Sequence, residues 1–344
     1  MRVLICTNDV TFNVSLAASY RARGHEVHVS EAEFFLRQDR FDLIHFHWPE
    51  ELTAWRSPPS PMHVTQVSES LAWWRERSRL ICTVHNLLPH AMPQHDDRTP
   101  AYYAAFYGAM HRIGHFSQTS RDAVLAQFPM LAEQEHVVHG MNLFENLRAL
   151  STGREAARAA LGVNENDLLL LTLGSLRSWS ELHLLMAALD RCTVRNKSIH
   201  FYARGGFSGN RLKREAQRWR FDRWARRRNV HRKPDLLADR ELVTSLEAAD
   251  ALLVSRPPGQ LNSGLLPLAM TFGTPMVVPD YGVFREMLQG SGNGLYAPGD
   301  AASMAQAIAS VASQDGRILT QNNTAIARDW GWSRALDKLL SGYE

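Results

Sequence analysis

Along the whole chain, short apolar runs that end in polar or turn-forming residues alternate with helix-like segments, and this alternation narrows the fold more than any other feature. The first half reads RVLICT, a helical stretch around Asn13 to Arg23, HEVHVS, then FDLIHFHW, LICTVHN and HFSQTS. The second half repeats the pattern with LLLLTLG, a helix from about Glu181 to Arg191, SIHFYARG, a basic helix, ADALLVS, a helix from about Ser263 to Phe272, and TPMVVP. Such a pattern implies mostly parallel sheets covered by helices. A chain of 344 residues exceeds what one core usually organises. The expected class is therefore α/β, with two doubly wound Rossmann-like domains facing a cleft. Residues 1–148 form the first, 149–326 the second, and 327–344 a C-terminal helix crossing back to the first. The linker is placed near residues 145 to 155.

Several classes lose their main signature. No GxGxxG follows Ile5 and no GxxxxGK[ST] occurs, which removes the usual phosphate cradles of dehydrogenases and P-loop enzymes. Three cysteines, Cys6, Cys82 and Cys192, form no CxxC pair and suit a reducing compartment. The apolar start of MRVLICTNDV ends too soon for a signal peptide, and no run has the length of a membrane span. The expected location is cytoplasmic. Formal net charge is only +3, but basic residues crowd the stretch from Arg211 to Lys233.

In open α/β sheets, ligands bind beyond the carboxyl ends of the strands, so residues just past strands are the candidates. After FDLIH come His45, His47, Trp48, Glu50 and Glu51, a cluster suited to proton transfer. The next strand ends in TVHNLLPH, which adds His85, Asn86 and His90. Glu50, His47 and His85 are the expected catalytic set; Trp48, Asn86 and His90 are the expected acceptor contacts. The four histidines 45, 47, 85 and 90 show no recognisable zinc spacing, so no metal is expected. In the second half, LTLGSLR turns at Gly174 and presents Arg177, whose guanidinium suits paired phosphate oxygens. Asn262, Ser263 and Gly264 precede a helix, with Asn262 or Ser263 expected as its N-cap and its free N–H groups able to attract phosphate.

The segments HFHWPEEL, TVHNLLPH, VVHG, LGSLR, NSGLLPLAM with GTPMVVPD, and GNGLYAPGD, in that order, resemble the bacterial exopolysaccharide β-mannosyltransferases of the xanthan-assembly type, within the two-Rossmann-domain (GT-B) glycosyltransferase superfamily. The resemblance spans residues 1 to about 335. It implies a nucleotide diphosphate held by Gly174, Arg177 and the 262–264 turn, with Glu286 counted among the donor-binding residues. It implies GDP-mannose as donor, a lipid-linked oligosaccharide as acceptor, inversion at the sugar, and no cofactor. Relatives usually carry Tyr-Lys-Gly after the arginine, whereas this chain reads Trp179, Ser180 and Glu181, so one phosphate-binding lysine is missing. The retaining relatives' two glutamates would fall near Gln260 and Leu268, neither of them acidic.

Two rival readings stay open: a partner subunit that kept the fold without turnover, and a sugar-nucleotide epimerase. The arginine-rich stretch alone is a weak signal for nucleic acid, which is not expected as a partner. A lipid-linked acceptor implies peripheral contact with an anionic membrane. LAWWRERSRL, with Trp73, Trp74, Arg75, Arg77 and Arg79, is the favoured contact and the 211–233 stretch the second choice.

Overall fold

The computed structural model describes residues 1–7, 10–89, 92–93, 95–176, 178–194, 199–207, 209–226, 229–233, 237–256 and 261–343, the side chains of 10–13 excepted. The chain divides into two compact units, residues 1–142 with 329–344, and residues 143–328.

The first unit alternates β1 (Arg2–Cys6), α1 (Val10–Ala22), β2 (Glu26–Val29), α2 (Glu31–Leu36), β3 (Leu43–Phe46), α3 (Pro61–Arg75), β4 (Arg79–Val84), α4 (Arg98–Gly108), β5 (Arg112–His115), α5 (Gln118–Gln127) and β6 (Glu135–Val138). Its strands form one parallel sheet in the order β2-β1-β3-β4-β5-β6. The inner strands β3 and β4 are buried on both faces apart from Arg79 at the start of β4, which is why they read as mostly apolar runs. Ser30, Ser60 and Ser117 cap α2, α3 and α5 through their hydroxyls.

The second unit holds α6 (Arg154–Leu161), β7 (Leu168–Leu173), α7 (Trp179–Arg191), β8 (Ile199–Arg204), α8 (Arg211–Ala225), β9 (Val230–Lys233), α9 (Asp239–Ala248), β10 (Ala251–Leu253), α10 (Leu265–Phe272), β11 (Met276–Pro279), α11 (Gly282–Leu288), β12 (Gly294–Tyr296), α12 (Ala301–Ala312) and α13 (Gly316–Ile326). Its sheet is also parallel, in the order β12-β11-β10-β7-β8-β9. Two six-stranded parallel sheets flanked by helices are the two-Rossmann-domain fold expected from the alternation. Residues 145–155, read above as the linker, are folded into this unit: Glu145–Leu150 form a 3-10 turn, and the amides of Thr152 and Gly153 donate to the Glu247 carboxylate at 3.0 and 3.2 Å.

The last helix, α14 (Trp332–Leu339), belongs to the first unit. Trp332, Ala335, Leu336 and Leu339 join Val3, Ile5, Leu16, Tyr20, Leu43 and Ile81 in one core. Buried Arg112 ends this helix by donating to the carbonyls of Leu339 (2.5 Å) and Ser341 (2.8 Å) and pairing with Glu135 (2.6 Å). Gly114 makes the approach possible, because a Cβ there would stand 2.8 Å from Leu339 Cδ2 and 3.0 Å from the His139 ring.

One expectation is corrected. The N-cap of α10 is Gly264, not Asn262 or Ser263, and no side chain caps that helix. In LAWWRERSRL, Trp74 is 1% exposed and donates from its indole to the Phe34 carbonyl at 2.8 Å. Arg75 donates to the carbonyls of Gly108 and Ala109 at the end of α4, and Arg77 lies over the Trp73 ring. Arg75, Arg77 and Arg79 remain exposed, and Trp73 is half-buried.

After β7 and β8 the chain turns at Gly174 (φ 79°) and Gly205 (φ 128°), and a Cβ on Gly205 would lie 2.3 Å from the Gly174 carbonyl oxygen. Gly205→Ala is expected to lower stability by about 3 kcal/mol or more, since backbone cannot move aside as a side-chain tip can. Thermal unfolding checks this; a midpoint within a degree or so of the parent contradicts the close approach.

Candidate functional site

On the sheet face beneath α1 and α14, the strands of the first unit carry histidines at their carboxyl ends. His45 lies in β3 and His47 just beyond it, His85 follows β4, and His139 follows β6. Residues two apart share a face of a strand, and the rings of His45 and His47 stack at 4.5 Å. His45 Nδ1 meets the Tyr20 hydroxyl at 3.0 Å and its Nε2 meets Thr83 Oγ1 at 2.9 Å. His47 Nδ1 and His85 Nε2 share a hydrogen bond of 3.1 Å, and the Trp48 indole stacks on His85 at 4.1 Å. Trp332 of α14 sits edge-on against His45 and His47, at 6.0 and 5.8 Å between ring centroids, and contacts His139 at 6.0 Å. On the opposite face, His115 at the end of β5 bonds to His136 of β6 at 2.9 Å. His45 is bonded to hydroxyls and His47 to His85, while His139 meets the row through its ring contact with Trp332. Among the described residues no group of three or more histidine, cysteine or acidic side chains is arranged to hold a metal ion.

Burial disfavours the imidazolium throughout this row. It holds His45, His115 and His139 down to about 3, aided at His45 by His139 and at His115 by His136. Burial, then neighbouring histidines, also keep His47 and His85 well below the usual range.

Next to this row, Pro49–Thr53 form a 3-10 turn that places Glu50 at 5% exposure. Three tyrosines of α4 hold the two loops around it. The Tyr103 hydroxyl donates to Glu50 Oε2, Tyr102 donates to the Pro49 carbonyl at 2.7 Å, and Tyr107 donates to the Asn86 carbonyl at 3.5 Å. The Asn86 amide approaches Glu50 Oε1 at 3.5 Å. Burial, then the Glu50 carboxylate, raise the Tyr103 phenol far above its usual range, so it stays a donor. The structure therefore brings together Glu50, His47, His85, Trp48 and Asn86. His90 lies outside the described residues.

In the second unit the expected residues occupy carboxyl-end turns of one sheet. Gly174 follows β7, and Asn262, Ser263 and Gly264 lead into α10. Glu286 is an exposed residue of α11. Arg177 lies outside the described residues. The sequence reading missed Arg256, which follows β10 in ADALLVSR. Its side chain is 12% exposed, donates to the Ser175 carbonyl at 3.0 Å, pairs with buried Glu181 at 3.0 Å, and would come within 3.6 Å of a Cβ on Gly174. Burial pushes nearby Tyr281 up to about 12, against the opposing pull of Arg256. The signal was available, since Arg256 also stands just past a strand, but nothing local distinguishes it from a surface arginine. Glu181 is the buried partner that holds it.

Residues 167–314, most of the second unit, match the family described as glycosyl transferases group 1. A sequence comparison with curated proteins finds no match. Among solved structures, Anabaena Alr3699/HepE in complex with UDP and glucose superposes with a TM-score of 0.69 at 14% identity, covering 100% of this chain and 99% of that one. Sucrose-phosphate synthase from Thermosynechococcus elongatus gives a TM-score of 0.69 at 15% identity over 99% and 97%. A trehalose-6-phosphate synthase, studied for glycosyl transfer with retention, gives 0.68 at 12% identity over 99% and 98%. These likenesses establish the two-Rossmann-domain GT-B fold for the whole chain.

The histidine row generates a pH prediction. Because burial lowers these pKa values, the unfolded chain binds more protons than the folded one below about 6.5. Their neutral burial leaves stability unchanged above that pH and lowers it progressively as pH falls towards about 3. At pH 5 each such histidine costs about 2 kcal/mol relative to neutral pH. The urea midpoint is expected to fall clearly between pH 7 and pH 5; a flat profile contradicts buried neutral histidines.

Proposed function

We propose that the protein is a metal-independent glycosyltransferase that moves a hexose from a nucleoside-diphosphate sugar to a lipid-linked glycan, with inversion. The observation that carries the reading is Glu50: a buried carboxylate held by Tyr103 and Asn86, in the turn just past β3 that follows His47 and Trp48 in the chain. A carboxylate so placed suits a general base. In the proposed step the acceptor oxygen bonds to the anomeric carbon as the carbon–oxygen bond to the diphosphate breaks. The acceptor proton passes to Glu50, and the bonding pair leaves with the diphosphate. The group 1 domain supports donor binding by the second unit. The HepE structures with UDP and UDP-glucose support a nucleotide sugar as the donor class. The resemblance of the sequence motifs makes GDP-mannose the first donor to test, with UDP-glucose beside it.

Glu50→Gln is expected to cut turnover by about 10² or more with donor affinity nearly unchanged, because a general base acts on the transition state. The same assay is run with EDTA, where full turnover is expected. Near-normal turnover of the variant removes Glu50 from the role, and loss of activity on chelation, restored by a divalent cation, removes metal independence.

A second reading is favoured by one observation: Arg256, the buried arginine beside the Gly174 turn, is already paired with Glu181. A partner subunit that binds a nucleotide without turning it over would tolerate such a reduced positive charge. The two readings share a nucleotide site, and Arg256→Ala is expected to weaken GDP or UDP binding by roughly 1.5 to 3 kcal/mol, the range for hydrogen bonds to charged groups. Calorimetry that finds unchanged affinity for both places the diphosphate away from Arg256. Tight binding by the parent protein without transfer to any lipid-linked acceptor selects the second reading.

A further inference from the structure

We infer that the outer face of α8 is a docking surface for an anionic lipid bilayer. The inner face of this helix belongs to the core, where Gln217, Phe221 and Trp224 are buried and the Trp224 indole donates to Asp190 at 2.8 Å. On the opposite side Leu212, Ala216, Trp219, Arg223 and Arg226 recur at alternating spacings of four and three, so they form one outward stripe. All five are exposed, Leu212 at 81% and Trp219 at 66%. The Arg223 guanidinium lies over the Trp219 ring at 5.9 Å, and exposed Arg211, Arg214, Arg218 and Arg220 flank the stripe.

Charge distribution points to the occupant. Residues 211–233 contain eleven lysines and arginines against Glu215 and Asp222, a net of +9. The whole chain carries +3, so the other residues together carry −6. An anionic surface therefore attracts this segment and repels the remainder, which fixes orientation as well as attraction. Asp222 is itself neutralised by Arg218 at 3.6 Å and Arg232 at 3.3 Å. A nucleic acid would use the arginines but has no use for an almost fully exposed leucine beside a tryptophan on the same stripe. A bilayer interface uses both, the aromatic and aliphatic side chains entering at headgroup depth while the arginines meet lipid phosphates. The inference deepens the lipid-linked acceptor proposed above and rests on it for its purpose, while its observations come from α8 alone.

The test is co-sedimentation of the full chain with phosphatidylcholine vesicles and with vesicles of phosphatidylcholine and phosphatidylglycerol at about 3:1. Binding is expected only to the anionic vesicles and is expected to fall as salt rises. Leu212→Ser with Trp219→Ser should weaken it about tenfold or more, and Arg214→Glu, Arg220→Glu and Arg223→Glu together should abolish it, since each basic residue near the surface is worth about fivefold. Arg77→Glu in the first unit should leave it unchanged. Melting temperature and GDP or UDP affinity are measured on every variant. Lost vesicle binding with nucleotide affinity intact supports the docking surface even if glycosyl transfer is never found. Equal binding to neutral vesicles, unchanged binding by the α8 variants, or binding to double-stranded DNA without binding to anionic vesicles overturns it.

Discussion

Keeping a row of histidines uncharged inside the first unit is the constraint on which much of this structure depends. Imidazolium cations packed 4 to 6 Å apart in a low-dielectric interior would repel one another by several kcal/mol per pair. The fold avoids that cost by burying the rings in neutral form and giving them hydroxyl, histidine and tryptophan neighbours. Trp332 closes the row, and it comes from the far end of the chain. The first unit is consequently incomplete without α14, whose end is secured by Arg112 and whose approach requires the missing side chain of Gly114.

The same arrangement prepares Glu50. A buried carboxylate is costly unless hydrogen-bonded, and here the compensating donors come from elements distant in sequence: Tyr103 on α4 and Asn86 after β4. Tyr102 and Tyr107 fix the backbone of the two loops concerned, so the carboxylate is positioned by one helix acting at several points.

In the second unit β7 and β8 run into tight glycine turns. Gly174 and Gly205 bring two loop backbones into a contact no other residue permits. Arg256 lies against the first of these loops, and α10 begins without a side-chain cap. The densest run of basic residues, 211–233, includes α8, whose outer face is exposed.

The alternation of apolar runs with helical segments was enough to reveal two parallel α/β sheets, because a strand buried on both faces must be apolar along its length. The cluster of Glu50, His47, His85, Trp48 and Asn86 was legible for a similar reason: polar and aromatic residues concentrated just past consecutive strands must gather at one edge of the sheet. Neither argument reaches a side chain whose partner lies far away in the chain. Arg256 is set apart from a surface arginine by Glu181 and Trp74 from a surface tryptophan by the Phe34 carbonyl, and Gly264 stands at the N-cap where Asn262 or Ser263 was expected. Sequence by itself determined the class of fold and the edge on which polar chemistry gathers, since both follow from local periodicity. Which tryptophans face water, which arginine is buried, and what holds Glu50 were decided only in the tertiary structure, because burial and hydrogen bonding depend on contacts between residues tens to hundreds of positions apart.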